Sequence, residues 1–158
     1  MAYISGSTGG LSAWLTPSRR RSNRRGGALV EVAITLAIVL NLTFGMVEFG
    51  YYFYCKNLLE GAAREGTRAA IVAGAVNSDV TTAVANALAS ANWNSTYYTV
   101  SISYTSNNTL NLASAAVGTQ VQVNVIATWS KVGAGFRPLN LIGSSKQLLG
   151  FAVMRKEG

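Results

Sequence analysis

Histidine is absent from the 158 residues, and cysteine occurs once, at Cys55. Without histidine the chain lacks the usual general base and the commonest metal ligand, which removes most hydrolase and zinc readings. A single cysteine makes an intrachain disulfide impossible. Cys55 reads as a small apolar residue. There is no Gly-x-Ser-x-Gly elbow and no phosphate-binding glycine loop. No catalytic constellation emerges, no cofactor or metal set is indicated, and the chain is not expected to be an enzyme. Charge is scarce too. Charged residues make up 12% of the chain, where about a quarter is usual for a soluble domain, and the mean hydropathy is positive.

The few charges are unevenly placed. Arg19, Arg20, Arg21, Arg24 and Arg25 come before any acid, and the first acid is Glu31. After Gly26, eight Lys/Arg face six Asp/Glu, so the net charge of +7 is mostly that one cluster. A basic balance of this kind does not argue for nucleic-acid binding. The arginine run reads either as a flexible basic tail or as a cytoplasmic anchor, because positive residues flank the inner end of a membrane span.

The span itself is the stretch Ala28 to Tyr54. As a helix it would measure about 40 Å at 1.5 Å per residue, against a hydrocarbon core of roughly 30 Å. The 16 residues from Val32 to Val47 hold no charge, which favours a bilayer span over the buried core helix of a soluble protein. Phe49 and Tyr51 to Tyr54 suit an aromatic belt at the far interface. Glu31 and Glu48 lie near the two ends, and Lys56 follows Glu48 by two turns along the same face. An ionised carboxylate within a membrane is costly, less so near an interface. Glu31 therefore either snorkels without a role or is kept for one.

Beyond the span, Lys56 to Ala73 has no proline and is rich in alanine, leucine and glutamate, all good helix formers. Glu60–Arg64 and Glu65–Arg68 are spaced as helical pairs. One helix of roughly 68 Å is expected from about Ala28 to Ala73, its outer part 55–73 forming the spine of an external domain, with Gly74 as its stop. A second helix is expected over about 79–91, with Ser78 as N-cap and Asp79 in its first turn. Alternation predicts strands over Tyr98–Tyr104 and Val121–Trp129, and a weaker one over Leu148–Met154. Thr105 to Asn108 reads as a polar loop. The expected class is α+β: a small external domain with a second helix and a three-stranded antiparallel sheet packed on the long helix. The organisation is a basic leader at 1–26, a transmembrane helix at 27–54 and an external domain at 55–158. Phe136, Leu139, Leu141 and Ile142 lie in a Gly/Pro-punctuated loop before the last strand. They either fold over the sheet edge or dip into a membrane interface or a partner subunit.

Residues 1–26 carry no apolar core of the kind a secretory signal needs before its cleavage site; here the apolar stretch follows the glycines. Arg24-Arg25-Gly26-Gly27-Ala28-Leu29-Val30-Glu31 resembles a type IV prepilin cleavage site, in which a peptidase cuts after a glycine and a glutamate lies fifth after the cut. A cut after Gly26 puts Glu31 at that position; a cut after Gly27 does not. More narrowly, Gly27 to Arg68 resembles the TadE-like family of Tad (Flp) pilus pseudopilins. The likeness rests on ALVEVAI, FGMVEFGYYFY, AAREGTRAA at 62–70 and, at the end of the chain, AVMRKEG. Val32 stands where the family usually has an aromatic, and Ala37 where it often has a proline, which implies a straighter helix here. The resemblance implies a cytoplasmic-membrane protein with its N-terminus inside and its domain outside. It further implies partners in a prepilin peptidase, other pilin or pseudopilin subunits and a pilus assembly platform, beside membrane lipid, and a Glu31 that pairs with the new α-amino group of Gly27 on a neighbour. The competing reading is an unprocessed single-pass protein whose outer domain binds a partner or ligand.

Overall fold

A computed structural model describes residues 24–104, 111–133 and 137–157. The arginines at 19–21, the polar loop at 105–108 and Phe136 lie outside the described residues. The elements run α1 (Arg24–Ile71), α2 (Asn77–Ala89), β1 (Tyr98–Tyr104), a single 3-10 turn at Leu112–Ser114, β2 (Gln120–Thr128), α3 (Trp129–Val132) and β3 (Gln147–Arg155). The architecture is α+β, with a long apolar helix, a second helix and an antiparallel three-stranded sheet ordered β1-β2-β3.

The chain divides into two units, residues 1–37 and residues 38–158. Of the first, the described part is the opening of α1. The second unit holds the domain core. Strand β2 is its centre: Val121, Val123, Val125 and Ala127 are buried while the residues between them are half-buried, as a period of two requires. β1 pairs with it so that Val100 faces Val125 and Ile102 faces Val123. β3 pairs on the other side, with Gly150 opposite Val125. α2 contributes Val80, Val84 and Leu88, three positions on one helical stripe.

The side of α1 that meets this core is made of small residues. Ala62, Ala63, Gly66, Thr67 and Ala70 are buried, and a Cβ on Gly66 would lie 2.6 Å from a Val84 methyl and 3.3 Å from one of Val123. α2 and the sheet therefore approach the helix backbone closely at one point. β3 comes closer still, since a Cβ on Gly150 would lie 2.3 Å from the Leu59 carbonyl carbon. Thr67 satisfies its buried hydroxyl by donating to the Ala63 carbonyl at 2.6 Å.

The ends of the elements depart from expectation in specific ways. α1 is already helical at Arg24, where the described residues start, and so extends ahead of Ala28; it stops at Ile71, after which Gly74 takes φ +75°. α2 starts at Asn77, so Ser78 is not its cap. The residue before the helix is Val76, and the Asp79 carboxylate reaches back to accept the Val76 N–H at 2.9 Å, one half of a capping box. Trp129 is not the last strand residue. Its N–H still donates to the Lys146 carbonyl at 2.8 Å in the β2–β3 register and its ring continues the buried alternation, but it opens α3, whose turn closes where the Gly133 N–H donates to the Trp129 carbonyl at 2.8 Å.

Candidate functional site

The residues expected to take part in processing come first in the chain. Gly26, Gly27 and Glu31 are all exposed, and all three lie in α1. The Gly26–Gly27 bond is thus held within a helix. Two adjacent glycines make that turn cheap to unwind, since each costs about 1 kcal/mol relative to alanine in a helix interior. Glu31 follows Gly27 by four residues. Helical side chains tilt towards the N-terminus, so its carboxylate lies over the turn that contains Gly27. A free amine at Gly27 and the partial positive charge of a helix start would both favour a carboxylate there.

Residues Gly26–Val47 are exposed throughout, apart from half-buried Gly45. They include Leu29, Ile34, Leu36, Ile38, Leu42 and Met46, large apolar side chains facing outwards. These 22 residues amount to about 33 Å of helix, close to the hydrocarbon thickness of a bilayer. Among the described residues, this is the one helix long and apolar enough to cross a membrane. An apolar helix that finds no protein to cover it is the opposite of a core helix.

The exposed run ends at Glu48, which is fully buried. Lys56 does not partner it. That lysine lies 3.9 Å from Glu60, which also holds Arg64 at 3.6 Å. The Glu48 carboxylate instead accepts two backbone N–H groups from the loop before β3, Leu139 at 3.3 Å and Ile142 at 3.0 Å. A buried carboxylate needs such donors to offset its lost hydration. Local sequence offered no sign of this, because the partners are more than 90 residues away. The loop therefore folds down onto α1. Ile142 packs on the core while Leu141 stays 55% exposed beside Gly45. Leu139 is half-buried. Arg137 turns inwards along the loop, bonding the Asn140 side chain and the Ile142 carbonyl.

The next turn of α1 is also committed to the domain. Tyr51 donates its hydroxyl to the Val132 carbonyl at 3.1 Å, and the Tyr51 and Tyr52 rings lie 5.9 and 5.4 Å from that of Trp129. These two tyrosines are domain contacts and not a lipid-facing belt; Phe49, Phe53 and Tyr54 remain exposed. Cys55 is fully buried in the same cluster. Beyond the helix, the β1–α2 side carries an open hollow of about 550 Å³ lined by Thr81, Thr82, Ser95, Tyr98 and Thr99. Burial raises the pKa of the Tyr98 phenol above its ordinary value.

An exposed apolar run thus follows a pair of glycines and is closed by a glutamate bonded to loop amides. Residues 26–68 match the TadE-like protein family. No curated protein and no solved structure matches the chain. The TadE-like stretch runs from Gly26, through the exposed residues and Glu48, to Arg68 on the core side of α1. It stops short of α2 and of the whole sheet.

Proposed function

We propose that this chain is a membrane-anchored TadE-like minor pseudopilin, cut by a prepilin peptidase after Gly26, that serves assembly of a Tad-type pilus. The observation that carries this reading is that the family match, residues 26–68, takes in the uncovered apolar run up to Val47 and the buried Glu48 that closes it. Such a run has two partners available, lipid before assembly and neighbouring helices after it. In a membrane, helix association relies on packing and polar contacts, because lipid tails are as apolar as the side chains. Glu31 is the polar element in this design. It pairs with the new α-amino group of Gly27, on a neighbour for register or one turn away on its own helix. The N-terminus lies in the cytoplasm and the domain outside the inner membrane. The role is non-enzymatic.

The test is the N-terminal residue of the protein taken from its own membranes, by intact mass. A chain beginning at Gly27 is expected. A chain that keeps Arg25 would overturn processing and leave a single-pass binding protein, for which the hollow beside Tyr98 is the place to look. Glu31→Ala is expected to leave membrane insertion and the N-terminal cut intact and to lower the yield of assembled pili. Normal pili in that variant would remove the register role.

A further inference from the structure

The loop and the exposed run of α1 meet at one level. Leu141 lies against α1 at Gly45, where a Cβ on that glycine would sit 3.6 Å from Leu141 Cδ1. Glu48 pins the loop there through the N–H groups of Leu139 and Ile142. Helical residues 38–44, just before this point, are all exposed. Where those residues face acyl chains, Glu48 stands at the edge of the hydrocarbon and the loop lies at headgroup depth.

The composition of the segment suits that depth. From Trp129 to Gln147 it carries Lys131, Arg137 and Lys146 and no acid. Lys131 and Lys146 are exposed, Lys131 donating to the Thr96 carbonyl at 3.0 Å, while half-buried Arg137 is turned inwards and adds its charge to the loop from within. Exposed lysines on flexible apolar stems beside a protruding leucine are what an anionic interface takes up, the leucine into the acyl boundary and the two ammonium groups towards phosphate.

We infer that the loop Arg137–Ile142, clasped by Glu48, seats on the anionic phospholipid surface on the domain side of the membrane, with Leu141 inserted at the acyl boundary. This rests on the membrane-spanning reading of α1. It gives the domain a second attachment to the bilayer and so restricts its rotation about the helix.

The test uses the full chain with Cys55→Ala and one new cysteine at a time, Leu141→Cys, Leu42→Cys or Val117→Cys. Each is spin-labelled and placed in vesicles of phosphatidylcholine with phosphatidylglycerol. Collisions with oxygen report lipid, and collisions with a nickel chelate report water. The expected result is an oxygen-to-nickel ratio at Leu141 several-fold above that at Val117, with Leu42 higher still. In phosphatidylcholine alone, the Leu141 ratio is expected to fall towards that of Val117. No change there would overturn the anionic preference. A lipid-like Leu42 with a Leu141 as wet as Val117 overturns the inference and leaves the span standing. A Leu141 shielded from both reagents means that protein, a second copy included, covers the loop, and also overturns it. A water-exposed Leu42 removes the span itself. Cys55 is fully buried, so the same labels can be run with it retained if Cys55→Ala does not fold.

Discussion

Gly150→Ala is expected to destabilise the domain by about 3 kcal/mol, at or above the upper end of the usual cost of overpacking a core, and Gly150→Val to prevent its folding. The added Cβ would lie 2.3 Å from the Leu59 carbonyl carbon, 2.4 Å from its oxygen and 2.5 Å from the Glu60 nitrogen. All three are backbone atoms of a helix interior, so nothing can rotate away. β3 would have to lift off α1, and with it Leu148, which is buried in the same sheet face. Gly61→Ala is the matched control. It lies on the same helix, its Cβ would meet nothing within 4 Å, and replacing a helical glycine by alanine there is expected to stabilise by roughly 0.5–1 kcal/mol. Urea unfolding in detergent micelles, followed by tryptophan fluorescence, gives both signs. A Gly150→Ala midpoint equal to that of the parent would show that β3 is not seated on Leu59.

Glu48→Ala is expected to release the loop at a cost of about 3 kcal/mol, since two backbone donors lose their acceptor and each buried group left unsatisfied costs about 1–3 kcal/mol. The loss is local. Hydrogen exchange at the Leu139 and Ile142 amides should speed up sharply, while amides of β2 and β3 keep their protection. Glu48→Gln retains one carbonyl acceptor and should fall between the two. Unchanged exchange at Leu139 and Ile142 in Glu48→Ala would mean the carboxylate does not hold the loop. A uniform rise across the sheet would mean that Glu48 supports the whole domain and not the loop alone.

Much of the fold was legible because it is written in local periods. Alternation in Val121–Ala127 has one buried solution, and β2 adopts it. The same holds for the stripe Val80, Val84, Leu88 in α2. The proline-free run through α1 had no local reason to break before Gly74. The candidate site was legible only at its first end, where glycines, Glu31 and the apolar run are contiguous. Its other end was not. Glu48 followed by Lys56 looked like a pair along one face, yet an uncharged backbone 91 residues away supplies the partners. Tyr51 and Tyr52 looked like interface anchors for the same reason: an amphipathic ring beside an apolar helix reads alike whether lipid or Trp129 covers it. Trp129 continues the strand pattern by residue type and by its ladder bond to Lys146, and the chain turns there because the Gly133 N–H returns to the Trp129 carbonyl.

Local chemistry thus dictated that this chain has a long apolar helix and that a small α+β domain follows. Those properties depend on neighbours within a few turns or a few strand residues, and such neighbours are given by order along the chain. Long-range contact decided where the exposed run ends and what closes it. Burying one carboxylate against loop amides, and one strand against a helix backbone, depends on atoms brought together from distant positions, for which hydrophobic period and propensity carry no signal.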